Sequence, residues 1–234
     1  MNTAMKKKQW NFILIAPLFL IILWRGAGDL SSLKISELPE VPSSEFMQVM
    51  AAGDQALLSR LMMIWMQQHD TQSGKYVSYR KLDYDRLKAW LSELMKLDPE
   101  SEYAMLLATR VYTRVGDSAR HRLMLEFVYQ QFLLRPEKNW RWLSEAVVQA
   151  KYRLKDLDLA LKYATALSEA KADNIPQWAK DSRLHVLEER GEIDQLRLII
   201  GGMLMSGAIK DPNELEYLDK YLKKLEKSTK KSAK

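Results

Sequence analysis

The chain has 234 residues, 47% of them hydrophobic, with 9 Gly, 7 Pro, no Cys and a formal net charge of +6. That length supports one sizeable core with appendages, and scarce Gly and Pro beside plentiful Leu, Ala, Met, Lys and Glu favour helix over sheet. The lack of Cys excludes disulfides, thiolate metal sites and cysteine nucleophiles. The excess positive charge sits at the two ends and leaves residues 26–219 at −4, so the basic pI argues only weakly for nucleic acid.

The first element is the apolar run Phe12–Trp24, preceded by Lys6, Lys7 and Lys8 and bracketed by Trp10 and Trp24. A positive flank, an apolar core and aromatic edges match a bilayer and its two interfaces. The 18 residues from Trp10 to Ala27 make about 27 Å of helix, so snorkelling lysines complete the span. A cleaved secretory signal is the alternative. Gly26 and Gly28 offer the small residues of a cleavage site, but Arg25 sits at the end of the apolar run, which favours an uncleaved anchor. The positive-inside rule places the N-terminus in the cytoplasm and the rest of the chain outside, which in a bacterium is the periplasmic side of the inner membrane.

Residues 26–44 carry Gly, Ser, Pro39 and Pro42 without a sustained period and read as a linker. Helical spacing then takes over, at Leu57, Leu58, Leu61, Met62 and Trp65 and again at Tyr84, Leu87, Leu91, Leu94 and Met95. The polar stretch His69–Lys81, with Gly74, reads as a loop or irregular extension between them. Met47, Met50, Met62, Met63 and Met66 read as gap-filling core, or as an adaptable binding surface.

Two series of helix breaks alternate along the body. Leu82-Asp83, Gly116-Asp117, Lys155-Asp156 and Gly191-Glu192 recur after 34, 39 and 36 residues, and Pro99, Pro136, Pro176 and Pro212 after 37, 40 and 36. Alternating breaks at this period predict stacked helical hairpins, none able to bury its apolar face alone. Other helical-hairpin arrays share such periods.

The stretch Asp83–Pro99 resembles the second helix of a tetratricopeptide repeat (TPR), including its closing Leu97-Asp98-Pro99. Lys155–Ala164 is similar, with Ala160 at the small-residue crossing. Gly116-Asp117 and Gly191–Asp194 resemble the turn between the two helices, and Tyr112 and Tyr152 lie near the family's first-helix tyrosine. The resemblance covers roughly residues 83–212, and 45–69 more weakly through Gly53-Asp54. His121 and Leu196 stand where the family has a crossing alanine, and the first-helix tryptophan is displaced. The resemblance implies an all-α, right-handed solenoid of stacked antiparallel hairpins, preceded here by one transmembrane helix. It also implies a groove, lined by the first helix of each hairpin, that binds peptide segments.

Aligning the hairpins on their turns puts Tyr103, Trp142 and Trp178 at equivalent early positions. Arg110, Gln149 and His185 follow, then Arg114 and Arg153, with Glu189 in the last unit. Aromatic and Arg side chains on such a face are common hot-spot chemistry, although Trp142 and Trp178 also suit packing between hairpins. Trp140 and Trp142 lie two apart, so one helix turn cannot bury both in the same direction.

No catalytic constellation stands out. His69, His121 and His185 are scattered, and no metal-ligand spacing links them. Gly201–Gly207 lacks the Lys and Ser/Thr of a phosphate loop, and no Ser lies in a nucleophile elbow. The expectation is a non-enzyme without metal or cofactor.

The organisation read from the sequence is then 1–25 cytoplasmic N-terminus and membrane anchor, 26–44 linker, 45–219 repeat domain and 220–234 a basic disordered tail. The expected function is a membrane-anchored scaffold or adaptor. It would bind a partner protein through the groove and the membrane through residues 10–25, with no nucleic acid, in support of a membrane or periplasmic complex. A structural accessory subunit of a larger membrane complex is the alternative, and homo-oligomerisation is compatible with either.

Overall fold

The computed structural model describes residues 38–68, 71–72, 75–76, 79–207 and 211–232. The expected anchor, most of the linker and His69 lie outside the described residues. Among those that are described, no helix is long and apolar enough to cross a membrane.

Over the described residues the fold is all-helical apart from one short ladder. Helices α1 (Ser44–Met50) and α2 (Gln55–Gln68) come first. The stretch read as a loop contains a two-residue antiparallel ladder, Thr71 opposite Tyr76 and Gln72 opposite Lys75, and a 3-10 turn at Tyr79–Lys81. Then follow α3 (Tyr84–Leu97), α4 (Tyr103–Leu106), α5 (Ser118–Leu134), α6 (Pro136–Tyr152), α7 (Leu157–Glu169), α8 (Gln177–Lys180), α9 (Ser182–Arg190), α10 (Ile193–Met205) and α11 (Pro212–Ser232). Helix α4 continues without a break through a π-helical segment, Leu107–Val111, and a 3-10 segment, Tyr112–Val115.

The breaks predicted from sequence are the observed turns. Gly116 and Gly191 take left-handed φ values of 64° and 74°, a conformation that costs a residue with a Cβ. Lys155 occupies the equivalent place at φ 53° without being glycine. Its turn is closed by the Asp156 N–H, which donates to the Ala150 carbonyl at 2.9 Å, in the manner of a Schellman cap. The acid after each left-handed residue starts the next helix. Asp117 accepts from the Ala119 and Arg120 N–H groups, and Asp156 from that of Leu159. Asp83 caps α3 in the same way, whereas Glu192 makes no side-chain cap bond. Short acidic side chains satisfy N-terminal amides that the helix leaves unpaired.

Packing runs mainly between sequence neighbours. Helix α2 packs on α3, the α4 segment on α5, α6 on α7, α9 on α10, and α10 on α11. Successive hairpins are joined by α5 against α6 and by α9 against α7. Leu91, Leu94, Met105, Met124, Leu143 and Tyr163 lie in one core that runs from the first hairpin to the third. Leu187, Leu196, Ile200, Leu218 and Leu225 form a second core under α11, and partly buried Leu161 touches both. Each such Leu contributes roughly 2–3 kcal/mol by burial. Ala160 and Ala164 are fully buried where α7 meets its neighbours.

Two sequence expectations change. Helix α11 continues to Ser232, through most of the stretch read as a disordered tail. Lys220 pairs with Glu216 and Lys223 with Asp219 one turn away, so the first of those lysines extend an amphipathic helix. The methionines divide: Met47, Met63 and Met66 are core, while Met50 is exposed.

Candidate partner-binding site

The residues singled out from the sequence lie on the first helices of the hairpins: α4 with its extension, α6, α8 and α9. Tyr103 lies on α4, and Arg110 and Arg114 on its π and 3-10 extension, at intervals of seven and four residues. All three are exposed, and Tyr103 Oη accepts from Gln67 Nε2 at 2.7 Å. The Arg110 guanidinium pairs with Glu145 of α6 at 2.9 Å and lies 5.8 Å from the Trp142 ring centre. Arg114 forms no ion pair among the described residues.

Trp142 and Gln149 do not face solvent. Trp142 is 8% exposed, and its Nε1 is buried with no hydrogen-bond partner among the described residues. Gln149 is 6% exposed and sits at the centre of a polar seam. Its Nε2 donates to the Thr109 carbonyl at 2.8 Å, and its Oε1 accepts from Arg153 at 3.2 Å. His121 Nε2 lies 2.8 Å from that same Oε1 and therefore carries the proton. Arg153 also donates to the Thr113 carbonyl at 3.0 Å. Thr109 and Thr113 lie where the α4 backbone passes from π to 3-10 geometry. Gln149 of α6 and Arg153, its C-terminal cap, thus bind carbonyls at this irregularity, consistent with the cost of leaving such groups unpaired. Burial holds the His121 pKa below its usual value, with Gln149 pulling the other way and the Arg153 charge reinforcing the drop.

Beyond this seam, α6 and α9 enclose a groove of about 480 Å³. Val148, Lys151 and Tyr152 line one wall, and Ser182, His185 and Glu189 the other. Lys151 pairs with Glu189 across it and lies 4.8 Å from the Tyr152 ring centre. Val148 and Tyr152 are more than half exposed, and His185 is exposed. Trp178, 64% exposed, meets partly buried Trp140 edge to face at 5.8 Å. Trp140 and Trp142 therefore diverge, one toward the following hairpin and one toward the preceding hairpin.

Sequence reasoning missed Glu145, Val148 and Lys151. Their signal was faint but present, since Glu145 follows Arg110 and Glu189 follows Lys151 at about one hairpin's separation. Among the described residues, no group of three or more His, Asp or Glu is placed to hold a metal ion.

No protein-family model, no curated protein and no solved structure matches the chain.

Proposed function

We propose that the chain is a membrane-anchored, TPR-like solenoid scaffold that binds a segment of a partner protein along its first-helix face. In this reading the protein is an adaptor and not an enzyme. It supports assembly of a complex at the bacterial inner membrane, with the N-terminus cytoplasmic and the repeat domain periplasmic. The apolar run Phe12–Trp24 behind three lysines supports the anchor and its orientation. The alternation of left-handed turns and prolines, with packing mainly between neighbouring hairpins, supports the solenoid.

The observation that carries the binding role is the α6–α9 groove and its surroundings. Exposed Tyr103, Val148, Tyr152 and Trp178 share the first helices with Arg110 and Arg114. Exposed aromatics beside arginines bind protein segments well, because each ring buries much area for little lost freedom. A fitting segment places an apolar side chain between Val148 and Tyr152 and a carboxylate within reach of Arg114.

Purified in mild detergent, the full chain is expected to carry one partner in fixed ratio. Val148→Glu with Tyr152→Glu lowers recovery of that partner at least about tenfold by placing charges in an apolar contact. Leu198→Glu, on the exposed side of α10, leaves recovery unchanged. Equal recovery from both variants would overturn the reading.

An accessory subunit that docks through its second helices is the alternative. It is favoured by a second groove of about 610 Å³ between α5 and α7, where Leu133 is half exposed. Loss of the partner in Leu133→Glu and not in the double variant selects it.

A further inference from the structure

Helices α1 and α2 each present a row of apolar side chains outward. On α2, Leu57, Leu61 and Ile64 are each more than half exposed and fall at i, i+4 and i+7, one face of the helix. On α1, Phe46, Val49 and Met50 repeat the pattern at i, i+3 and i+4. Leu58, Met63 and Met66 fill the opposite, buried side of α2, so the helix is apolar on two faces. Residues 44–68 hold only three charged side chains, Glu45, Asp54 and Arg60, too few to make this an ordinary wet surface. Helix α3, next in sequence, exposes Asp85 and Lys96 instead.

The chain upstream says what meets this surface. Leu38 and Pro39 are tied to α3, because Arg86 donates to the Leu38 carbonyl at 2.9 Å and Trp90 Nε1 to the Pro39 carbonyl at 2.8 Å. The chain therefore meets the folded body at α3 and runs directly into α1. Residues 25–37, thirteen in number, separate that point from the apolar run ending at Trp24. A linker of that length has a root-mean-square reach of about 20 Å. If the run spans a bilayer, the part of the body held nearest the lipid is this N-terminal end, which carries the exposed apolar stripes of α1 and α2.

We propose that helices α1 and α2 lie in the membrane interface. Leu57, Leu61 and Ile64 enter the boundary between headgroups and acyl chains, and Arg60 stands at the level of the phosphates. The inference rests on the anchor reading. The tether raises the local lipid concentration, so the two helices need only weak intrinsic affinity.

The absence of Cys makes a direct test available. Full chains carrying Leu61→Cys or Leu198→Cys are labelled with an environment-sensitive fluorophore. They are placed in nanodiscs of phosphatidylethanolamine and phosphatidylglycerol, with or without headgroup-nitroxide lipid. The label at position 61 is expected to lose emission at least about twofold on adding nitroxide lipid, as fits insertion of about 5–10 Å. The label at position 198 is expected to stay unchanged. A chain retained in the nanodisc with equal, weak quenching at both positions overturns the inference and leaves the anchor standing. A label at position 61 that is shielded from water yet unquenched means that a second copy or another protein covers the stripe, and also overturns it. Loss of the chain from the nanodisc overturns the anchor and the inference together.

Discussion

The guanidinium of Arg110 lies over the ring of Trp142, 5.8 Å from its centre, so the outer residue of one first helix roofs the buried aromatic of the next. The pair divides its labour by depth. Trp142 belongs to the packing between hairpins, and Arg110, also paired with Glu145, belongs to the surface.

Substitutions at the two positions separate those contributions. Trp142→Ala is expected to cost about 3–5 kcal/mol by emptying a buried site. Arg110→Ala is expected to cost at most about 1 kcal/mol, because exposed ion pairs contribute little, while weakening partner recovery. Urea unfolding of both variants checks the ranking, and comparable losses would place Arg110 in the core instead.

The His121–Gln149–Arg153 seam predicts a pH dependence. Burial lowers the His121 pKa below 6.5 in the folded chain. Below that pH the unfolded chain takes up a proton that the folded chain resists, so stability is intact above about 6.5 and falls on acidification. Asp181 acts in the opposite sense. Burial raises its pKa, so the folded chain binds that proton more readily. The clean readout is therefore a difference. His121→Gln is expected to flatten the stability loss between about pH 7.5 and about pH 5.5, measured by urea titration. An unchanged slope in the variant would remove His121 as its source.

The turns make a second class of prediction. Asp117→Ala removes the acceptor for the Ala119 and Arg120 amides and is expected to cost about 1 kcal/mol. Asp156→Ala should cost more, because the Asp156 side chain is 15% exposed against 34% for Asp117 and pairs with Arg122 of α5, whereas Asp117 pairs with Arg120 inside its own first turn. Gly116→Ala is expected to cost about 1 kcal/mol, since its φ of 64° suits glycine. Thermal or urea midpoints of the three variants test the order.

The turns were the most legible part of the sequence, because left-handed backbone and helix capping demand particular residues at particular places. Gly116-Asp117 and Gly191-Glu192 could be placed from chemistry alone, and Lys155-Asp156 from its interval. Depth was less legible. Periodicity put Trp142, Gln149 and Arg153 on one face of α6, but that face turns toward α4, and only the partner helix decides which of them is covered. The π and 3-10 geometry of residues 107–115 left no trace in the pattern, since no Pro or Gly interrupts it before Gly116. The continuation of α11 to Ser232 was obscured by its lysines, which suit both a solvated tail and the polar side of a helix.

The central claim is that the first-helix face carries the partner. Photo-crosslinking side chains placed in cells at Tyr103, Val148, Tyr152 and Trp178, and separately at Leu133, Leu134 and Leu198, test it most directly. The account predicts one discrete adduct from the first set and none from the second. Adducts from Leu133 and Leu134 with a silent first set would contradict it.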